Sequence, residues 1–409
     1  MTSRPIPIAS PFQRLAALLS GVTPGLPPID LTIGEPRHPV PDFVAPTLAG
    51  SIADFGRYPP IKGTAAFRQA VADWLTRRYG LATPVDPEAG VLPLNGSREG
   101  LFFAALQAVR RRGAGTDRPA ILLPNPFYQV YAAAAEAAGA EAVLLPAGPE
   151  TGFLPDLAAL DPALLARTAA VFYASPANPQ GAVASLATWR ELIGLARTHG
   201  FYVFADECYS EIWRGAPPAG VLEAADAIGD GFGKVVSFNS LSKRSNLPGL
   251  RCGFAAGDAD FLAEWAVFRN VAAPQVPLPV QAVAVAAFAD EAHVAENRRL
   301  YDLKFAGAQA RLAPLFGSVT PPGGFFLWLD VSRWGGGEAV TRRLFAEAGV
   351  KVLPGGTLAA ETFDPETGDP ETGDPGAGRN PGADYIRIAM VEAPDRTDEA
   401  LARLTGVLT

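Results

Sequence analysis

Cysteine, histidine and lysine are all scarce in this chain. Two cysteines, Cys208 and Cys252, cannot build a disulfide framework. Three scattered histidines do not combine with them into a metal-ligand cluster, so no metal site is expected. Positive charge is also outweighed: 34 Lys and Arg against 42 Asp and Glu leave a net charge of −8. That field repels a phosphate backbone, so nucleic acid is not an expected partner. Long apolar runs are missing too. The longest, Ala282 to Ala289, falls far short of the roughly 20 residues that a membrane span needs. The opening residues, MTSRPIPIASPFQRL, hold no apolar signal core followed by a cleavage site. A cytoplasmic protein is expected on that ground.

What is present suits a packed chain. Hydrophobic residues make up 48% and charged residues 19%, which excludes a disordered polypeptide. At 409 residues a single continuous core is not expected, and two or three domains are. Of the 34 basic residues only five are lysines: Lys62, Lys234, Lys243, Lys304 and Lys351. In a background that uses arginine so freely, a buried-looking lysine needs a reason.

Several short apolar runs have strand length and end in polar or turn residues. They include residues 120–126, 142–147, 171–179, 201–207, 234–240 and 252–258. Apolar residues at consecutive positions predict strands buried on both faces, as in a parallel sheet. Helical patterns lie between them. In TWRELIGLARTHG, Trp189, Leu192, Ile193 and Ala196 share a face, with Gly200 as C-cap. In SREGLFFAALQAVRRRG, Leu101, Ala105, Leu106 and Val109 share one, with Ser97 as N-cap. Strand alternating with helix predicts an α/β fold with a mostly parallel sheet flanked by helices. After about Gln281 the pattern turns to long helix, then GGFFLWLDV and YIRIAMV, which reads as a smaller α+β unit. The expected division is an arm at 1–45 that also joins the small domain, a large domain at 46–285 and a small C-terminal domain at 286–409. The repeat DPETGDPETGDPG, from Asp364 to Gly376, is too polar to bury a core and is expected to be a solvated loop.

In parallel α/β sheets ligands gather at the carboxyl ends of the strands. Those ends carry Asn95-Gly96-Ser97-Arg98, Tyr128, Asn178, Asp206 to Tyr209 and Ser240 to Lys243, with Arg251 eight residues on. Lys243 reads either as a surface-loop lysine or as an amine able to form a Schiff base with an aldehyde. Ser240, Ser242 and Arg251 around it favour the second, since they would hold an anion on that aldehyde. Asp206 ends an apolar strand; it is either a turn or cap residue or the partner of a protonated ring nitrogen. Asn95-Gly96-Ser97 is both an ordinary turn with a cap and an anion site at a helix N-terminus. Asn178 in ASPANPQG has a plain reading as a turn former.

Taken together these residues describe a holder of pyridoxal phosphate. The strings SLSKRSNLPGLRCGF, SPANPQGAV and FYVFADECYSEI resemble a class I, fold-type I aminotransferase. DLTIGEPRHPVP, RYPPIKGTAAFRQAVADWL, NGSREGLFFAAL, PNPFYQVY and NPGADYIRIAMVE resemble, more narrowly, the bacterial succinyldiaminopimelate aminotransferases. The resemblance runs from about Pro11 to the C-terminus. It implies that Lys243 forms the Schiff base and moves the proton, and that Asp206 binds the pyridine nitrogen. Asn178 and Tyr209 would reach the ring oxygen, and Tyr128 would stack on the ring. Gly96, Ser97, Arg98, Ser240, Ser242 and Arg251 would hold the phosphate. Tyr58 would reach the phosphate of a neighbouring subunit, which implies a homodimer with shared sites. Arg387 would grip the substrate α-carboxylate, although its alternation with Ile386 and Ile388 also fits the outward residue of an edge strand. Gly34 lies on the segment that closes over substrate.

The implied reaction is ping-pong transfer of an amino group between glutamate and N-succinyl-2-amino-6-oxopimelate. The second substrate carries further carboxylates, for which Lys62, Arg37, Arg244 and Arg379 are candidate partners. Rival readings are another aminotransferase of the class (acetylornithine, aspartate, alanine or aromatic donor), a β-lyase on the same fold, and a non-enzymatic regulator. The regulator would need a DNA-binding module, and only about ten residues precede the resemblance. Cys208 is expected to be a small buried residue, and His38, in GEPRHP, lies near the predicted entrance.

Overall fold

The computed structural model describes residues 6, 10–113, 118–157, 160–362 and 380–409. The repeat from Asp364 to Gly376 and Arg379 lie outside the described residues.

Among the described residues twelve strands follow in chain order: β1 (Ile29–Asp30), β2 (Val91–Leu94), β3 (Ala120–Asn125), β4 (Glu141–Pro146), β5 (Thr168–Ala174) and β6 (Tyr202–Asp206). They continue as β7 (Val235–Ser240), β8 (Gly253–Gly257), β9 (Phe326–Asp330), β10 (Val350–Lys351), β11 (Leu353–Pro354) and β12 (Tyr385–Ala389). Seven form one sheet in the order β2-β8-β7-β6-β5-β3-β4. Strands β3 to β7 run parallel, while β8 is antiparallel to both its neighbours. The mostly parallel sheet expected from sequence is therefore present. Its exception has a simple cause: between β7 and β8 the chain makes only a four-residue helix and a short turn, without the crossover that a parallel return requires. The reading of short runs missed β2, whose VLPL is brief and holds a proline.

Alternation along the strands explains the two-sided burial. Val171 and Tyr173 of β5 join the core on one face, beside Trp189, Leu192 and Ile193; Ala170 and Phe172 join the core on the other. In β6, Val203 and Ala205 go one way and Tyr202 and Phe204 the other. All are buried, so every position had to be apolar. The helix Leu186–His199 buries Trp189, Leu192, Ile193 and Ala196, and ends at Gly200 with φ 79°. Its N-cap is Ser185, whose hydroxyl accepts from Thr188 N at 3.0 Å. The helix Ser97–Arg112 differs from expectation. Gly96 occupies the N-cap, Ser97 is the first helical residue, and Gly100, Leu101, Ala104, Ala105, Gln107 and Ala108 face the core. Leu106 and Val109 sit at its margin, because packing between two small-residue helices turns the alanine stripe inward.

A further core forms around the strands outside the large sheet. Strand β12 is the central member of a three-stranded antiparallel sheet, between β11 and β9. Early residues join this region: β1 pairs with β10, and Leu31 exchanges backbone bonds with Lys351 and Ala389. Ile29, Leu31, Tyr301, Phe325, Leu344, Ile386 and Leu404 pack together there. Among the described residues no helix is long and apolar enough to cross a membrane, and no His, Cys, Asp or Glu group is arranged to hold a metal ion.

Phe204 packs within 5.6 Å, ring to ring, of Phe172, Phe238 and Phe261. Phe204→Ala should lower the unfolding free energy by about 3–5 kcal/mol, as read from a denaturant titration. A loss below about 1 kcal/mol would mean that the aromatic face is not the packed core described.

Candidate active site

The parallel strands β5, β6 and β7 end side by side, at Ala174, Asp206 and Ser240. Beyond them lie Asn178, the Asp206–Tyr209 turn and the short helix Leu241–Arg244 that carries Lys243. The sheet thus delivers an amide, a carboxylate and an amine to one edge.

Asp206 is buried, and its carboxylate accepts from Tyr131 Oη at 2.6 Å and from the Cys208 amide at 3.3 Å. Burial raises its pKa above the ordinary value, against the opposing pull of the Tyr131 and Cys208 bonds and the Lys243 charge. The turn reading of Asp206 is met by one oxygen, which closes the local turn, while the other is fixed by a distant tyrosine. Lys243 is partly exposed, with its amine donating to the Gly34 carbonyl and lying 5.1 Å from the Phe325 ring. Desolvation first, and then the charges of Arg387 and Arg251, push that amine down to about 8, while Cys208 and Glu35 oppose them.

Arg387 is not the outward residue of an edge strand. It is 5% exposed on the central strand β12. Its Nη1 donates to Asn178 Oδ1 at 3.2 Å and its Nη2 to the Thr32 carbonyl at 2.8 Å. The buried Nε has no hydrogen-bond partner among the described residues. The guanidinium lies 4.3 Å from the Phe326 ring, and desolvation lowers its pKa to about 10. Among the described residues it forms no ion pair. A buried guanidinium facing only neutral acceptors is ready for a carboxylate from outside the chain.

The anion-binding candidates also converge. Gly96 has φ 80°, which favours glycine, and a Cβ there would lie 2.2 Å from Arg251 Nη2 and push the end of the arginine aside. Arg251 donates to the Asn95 carbonyl at 3.3 Å and lies 3.5 Å from Ser242 Oγ, whose partner Ser240 Oγ is 3.0 Å away. The first turn of the helix from Ser97 opens at the same place. Arg98 is exposed and its Nε donates to Tyr128 Oη at 2.5 Å. Tyr128 meets Tyr131 edge to face at 5.7 Å, and Tyr209 meets Phe325 at 5.2 Å.

Tyr58 is fully exposed and does not enter this chain's own site. Lys62 donates to the Glu88 carbonyl at the surface, and Arg37 pairs with Glu392. Arg244 is wholly buried, bonded to Glu291 and the Ala287 carbonyl, so it is committed to the core. Cys208 is a buried small residue, as expected. Sequence reasoning missed Tyr131 and Phe325-Phe326. The signal for Tyr131 was its place three residues after Tyr128, on the first turn of the helix Gln129–Ala137, from which it reaches back to β6.

Residues 27–368 match the model of the aminotransferases of class I and II. The LL-diaminopimelate aminotransferase of Moorella thermoacetica is 32% identical over 393 residues, covering 94% of this chain and 92% of the relative. An aminotransferase structure from Neisseria meningitidis superposes with a TM-score of 0.89 at 37% identity, over 98% of both chains. A probable N-succinyldiaminopimelate aminotransferase from Thermus thermophilus does so with 0.81 at 27%, over 97% of this chain and 100% of the other. The chain belongs to the class I and II aminotransferases and has their fold-type I architecture. It is an enzyme that transfers an amino group.

Because the Lys243 amine titrates at about 8, it stays protonated and unreactive below that pH and becomes a nucleophile above it. Labelling of cofactor-free protein with an amine-reactive reagent, followed by peptide mapping, should show Lys243 reacting with a midpoint near 8. An exposed lysine titrates at about 10.4. A Lys243 midpoint at the exposed value would refute the desolvation described here.

Proposed function

We propose that the chain is a pyridoxal-phosphate-dependent transaminase exchanging an amino group between glutamate and N-succinyl-2-amino-6-oxopimelate. The observation that carries the reading is a buried Asp206 and a desolvated Lys243 at the carboxyl ends of neighbouring strands, with a buried Arg387 that has no ion-pair partner among the described residues.

The residues fit the cofactor. A cradle that a Cβ at Gly96 would fill and a buried carboxylate with no cation bonded to it among the described residues would meet its phosphate and its ring nitrogen, while the orphaned Arg387 nitrogen is left for the substrate. Ser240, Ser242, Arg251 and the amides at Gly96 and Ser97 would hold the phosphate, with Arg98 beside them. Tyr128 would lie on the ring, Asn178 and Tyr209 would reach its oxygen, and Asp206 would pair with its nitrogen. Bound there, pyridoxal phosphate supplies an aldehyde that captures amino groups and a pyridinium that accepts the electrons of a breaking Cα–H bond.

The chain's own residues do the remaining work. The neutral Lys243 amine would take the α-proton of the donor and return it to the carbon on the far side of the transferred nitrogen, a transfer for which a pKa near the operating pH is well matched. Asp206, fixed by Tyr131 Oη at 2.6 Å, would keep the ring nitrogen protonated. Arg387 exchanges the Thr32 carbonyl for the substrate α-carboxylate, a fork-to-carboxylate contact that lysine does not reproduce. Gly34, whose Cβ would strike Phe326 at 2.6 Å, lets the N-terminal segment lie close over the substrate. Arg37, three residues further on and paired among the described residues with Glu392 alone, is the cation we assign to a distal carboxylate.

A homodimer, a cytoplasmic location and the division 1–45, 46–285 and 286–409 belong to the same proposal. Tyr58, exposed together with Ile52 and Phe55, supports a subunit contact that carries Tyr58 into a neighbour's phosphate site. A second reading, LL-diaminopimelate itself as amino donor, is favoured by the LL-diaminopimelate aminotransferases at 30–32% identity.

Adding N-succinyl-LL-diaminopimelate to the yellow, cofactor-loaded enzyme, without keto acid, should bleach the visible band. Bleaching by LL-diaminopimelate alone would select the second reading, and bleaching by neither would reject both. Lys243→Ala should lower turnover by roughly four orders of magnitude; turnover at the wild-type rate would sink the mechanism. For Arg387→Lys, kcat/KM for glutamate should fall about 10- to 100-fold. An unchanged value would remove Arg387 from the α-carboxylate site.

A further inference from the structure

The helix Ala292–Phe316 carries Asn297, Tyr301 and Lys304 at spacings of four and three, which sets them on one face. All three are buried, and His38, from the segment that follows Gly34, docks against that face. Its ring lies 4.4 Å from the Tyr301 ring, and its Nδ1 lies 2.5 Å from Asn297 Oδ1. The other end of the amide turns toward the candidate active site. Asn297 Nδ2 donates to the Lys243 carbonyl at 3.3 Å and lies 3.5 Å from the Arg244 carbonyl.

Only one arrangement of protons satisfies these contacts. Both carbonyls can only accept, so the amide nitrogen must face them and Oδ1 must face the imidazole. The hydrogen on His38 therefore sits on Nδ1. Nε2 is left as a bare acceptor, and it is buried without a partner. Burial, helped by the Lys304 charge and opposed by the Asn297 bond and Glu296, lowers the imidazole to about 4. His38 is thus neutral at ordinary pH, and the donor–acceptor chain from His38 through Asn297 to Lys243 is fixed in one direction.

The segment from Thr32 to His38 consequently grips Lys243 at both ends. Its Gly34 carbonyl accepts from the amine, and His38 reaches the lysine's main chain through one buried side chain. The same segment accepts from Arg387 at Thr32, at 2.8 Å. A substrate carboxylate that captures Arg387 takes a donor from Thr32, and the segment must then adjust.

We propose that Asn297, held by His38, is a positioning residue that ties the Thr32–His38 segment to the Lys243 turn, so that the segment's place over the site and the direction of the lysine amine change together. This rests on the reading of Lys243 as the catalytic amine.

The test uses enzyme loaded with pyridoxal phosphate, as wild type, His38→Phe, Asn297→Leu, the double variant and His38→Asn. Phenylalanine keeps a ring against Tyr301 and loses the donor, whereas asparagine sets an N–H where Nδ1 stood. The readouts are the pH midpoint of the visible band, the single-turnover rate with glutamate and its KM. His38→Phe and Asn297→Leu should each slow the single turnover about tenfold and shift the band midpoint. The double variant should be no slower than the slower single one, and His38→Asn should recover most of the rate. Additive losses in the double variant would overturn the proposal. So would single variants that melt earlier while rate and band midpoint stay at wild-type values. Wild-type protein that forms no visible band with pyridoxal phosphate would instead defeat the reading of Lys243, and this inference with it.

Discussion

A guanidinium taken out of water with no carboxylate beside it costs several kcal/mol unless its surroundings compensate, and Arg387 stands in that position among the described residues. Asn178 and the Thr32 carbonyl satisfy two of its nitrogens, and the third is left bare. Across the site Asp206 is the complementary case, a buried carboxylate held by a tyrosine and a backbone amide rather than by a cation. Lys243 lies between them with its charge partly driven off. Each group lacks what a bound amino acid or a pyridine ring would bring. The rest of the fold serves to keep the three from relaxing toward one another.

That rigidity comes from the large sheet. Strands β5 to β7 are packed on both faces, so their ends cannot shift without disturbing two cores at once. Arg387 comes from a different sheet, as the middle strand of three, with neighbours on either side fixing its register. The N-terminal segment is the link between the two systems. It pairs with β10, lends carbonyls to both cations, and anchors itself through His38 on the helix Ala292–Phe316. A segment held by a few polar contacts is the element best suited to move when a ligand replaces those contacts.

The family sets the reaction class, while specificity depends on groups beyond it. In the proposed function Arg387 answers for one carboxylate, common to all amino-acid substrates of such an enzyme. In the same proposal the distal end of the substrate would be read by other cations; of the four named from sequence, Arg244 is spent in the core with Glu291, Lys62 lies on the surface with Glu88, and Arg379 is outside the described residues. Arg37 retains the combination of exposure and a single, displaceable partner.

Much of this molecule was legible in its residues, and the reason is local. The continuous apolar runs announced strands covered on both faces, and Trp189, Leu192, Ile193 and Ala196 announced one helix face with Gly200 at its end. Lys243, Asp206 and Arg251 stood out because charges beside apolar strands need a reason. The direction of β8, the rotation of the helix Ser97–Arg112 and the burial of Arg387 were not legible. They depend on which elements pack together, and the alternation of Ile386, Arg387 and Ile388 is the same on an edge strand as on a central one. Likewise the spacing of Tyr131 from Tyr128 does not name Asp206 as its partner, and nothing near Asn297 names Lys243; the partners lie 75 and 54 residues away. Sequence by itself determined the strands, the helices and the chemical groups at their ends, because those follow from local periodicity and side-chain chemistry. The tertiary structure alone decided which charges were left buried and unpaired, because desolvation is a property of the surroundings and not of the residue.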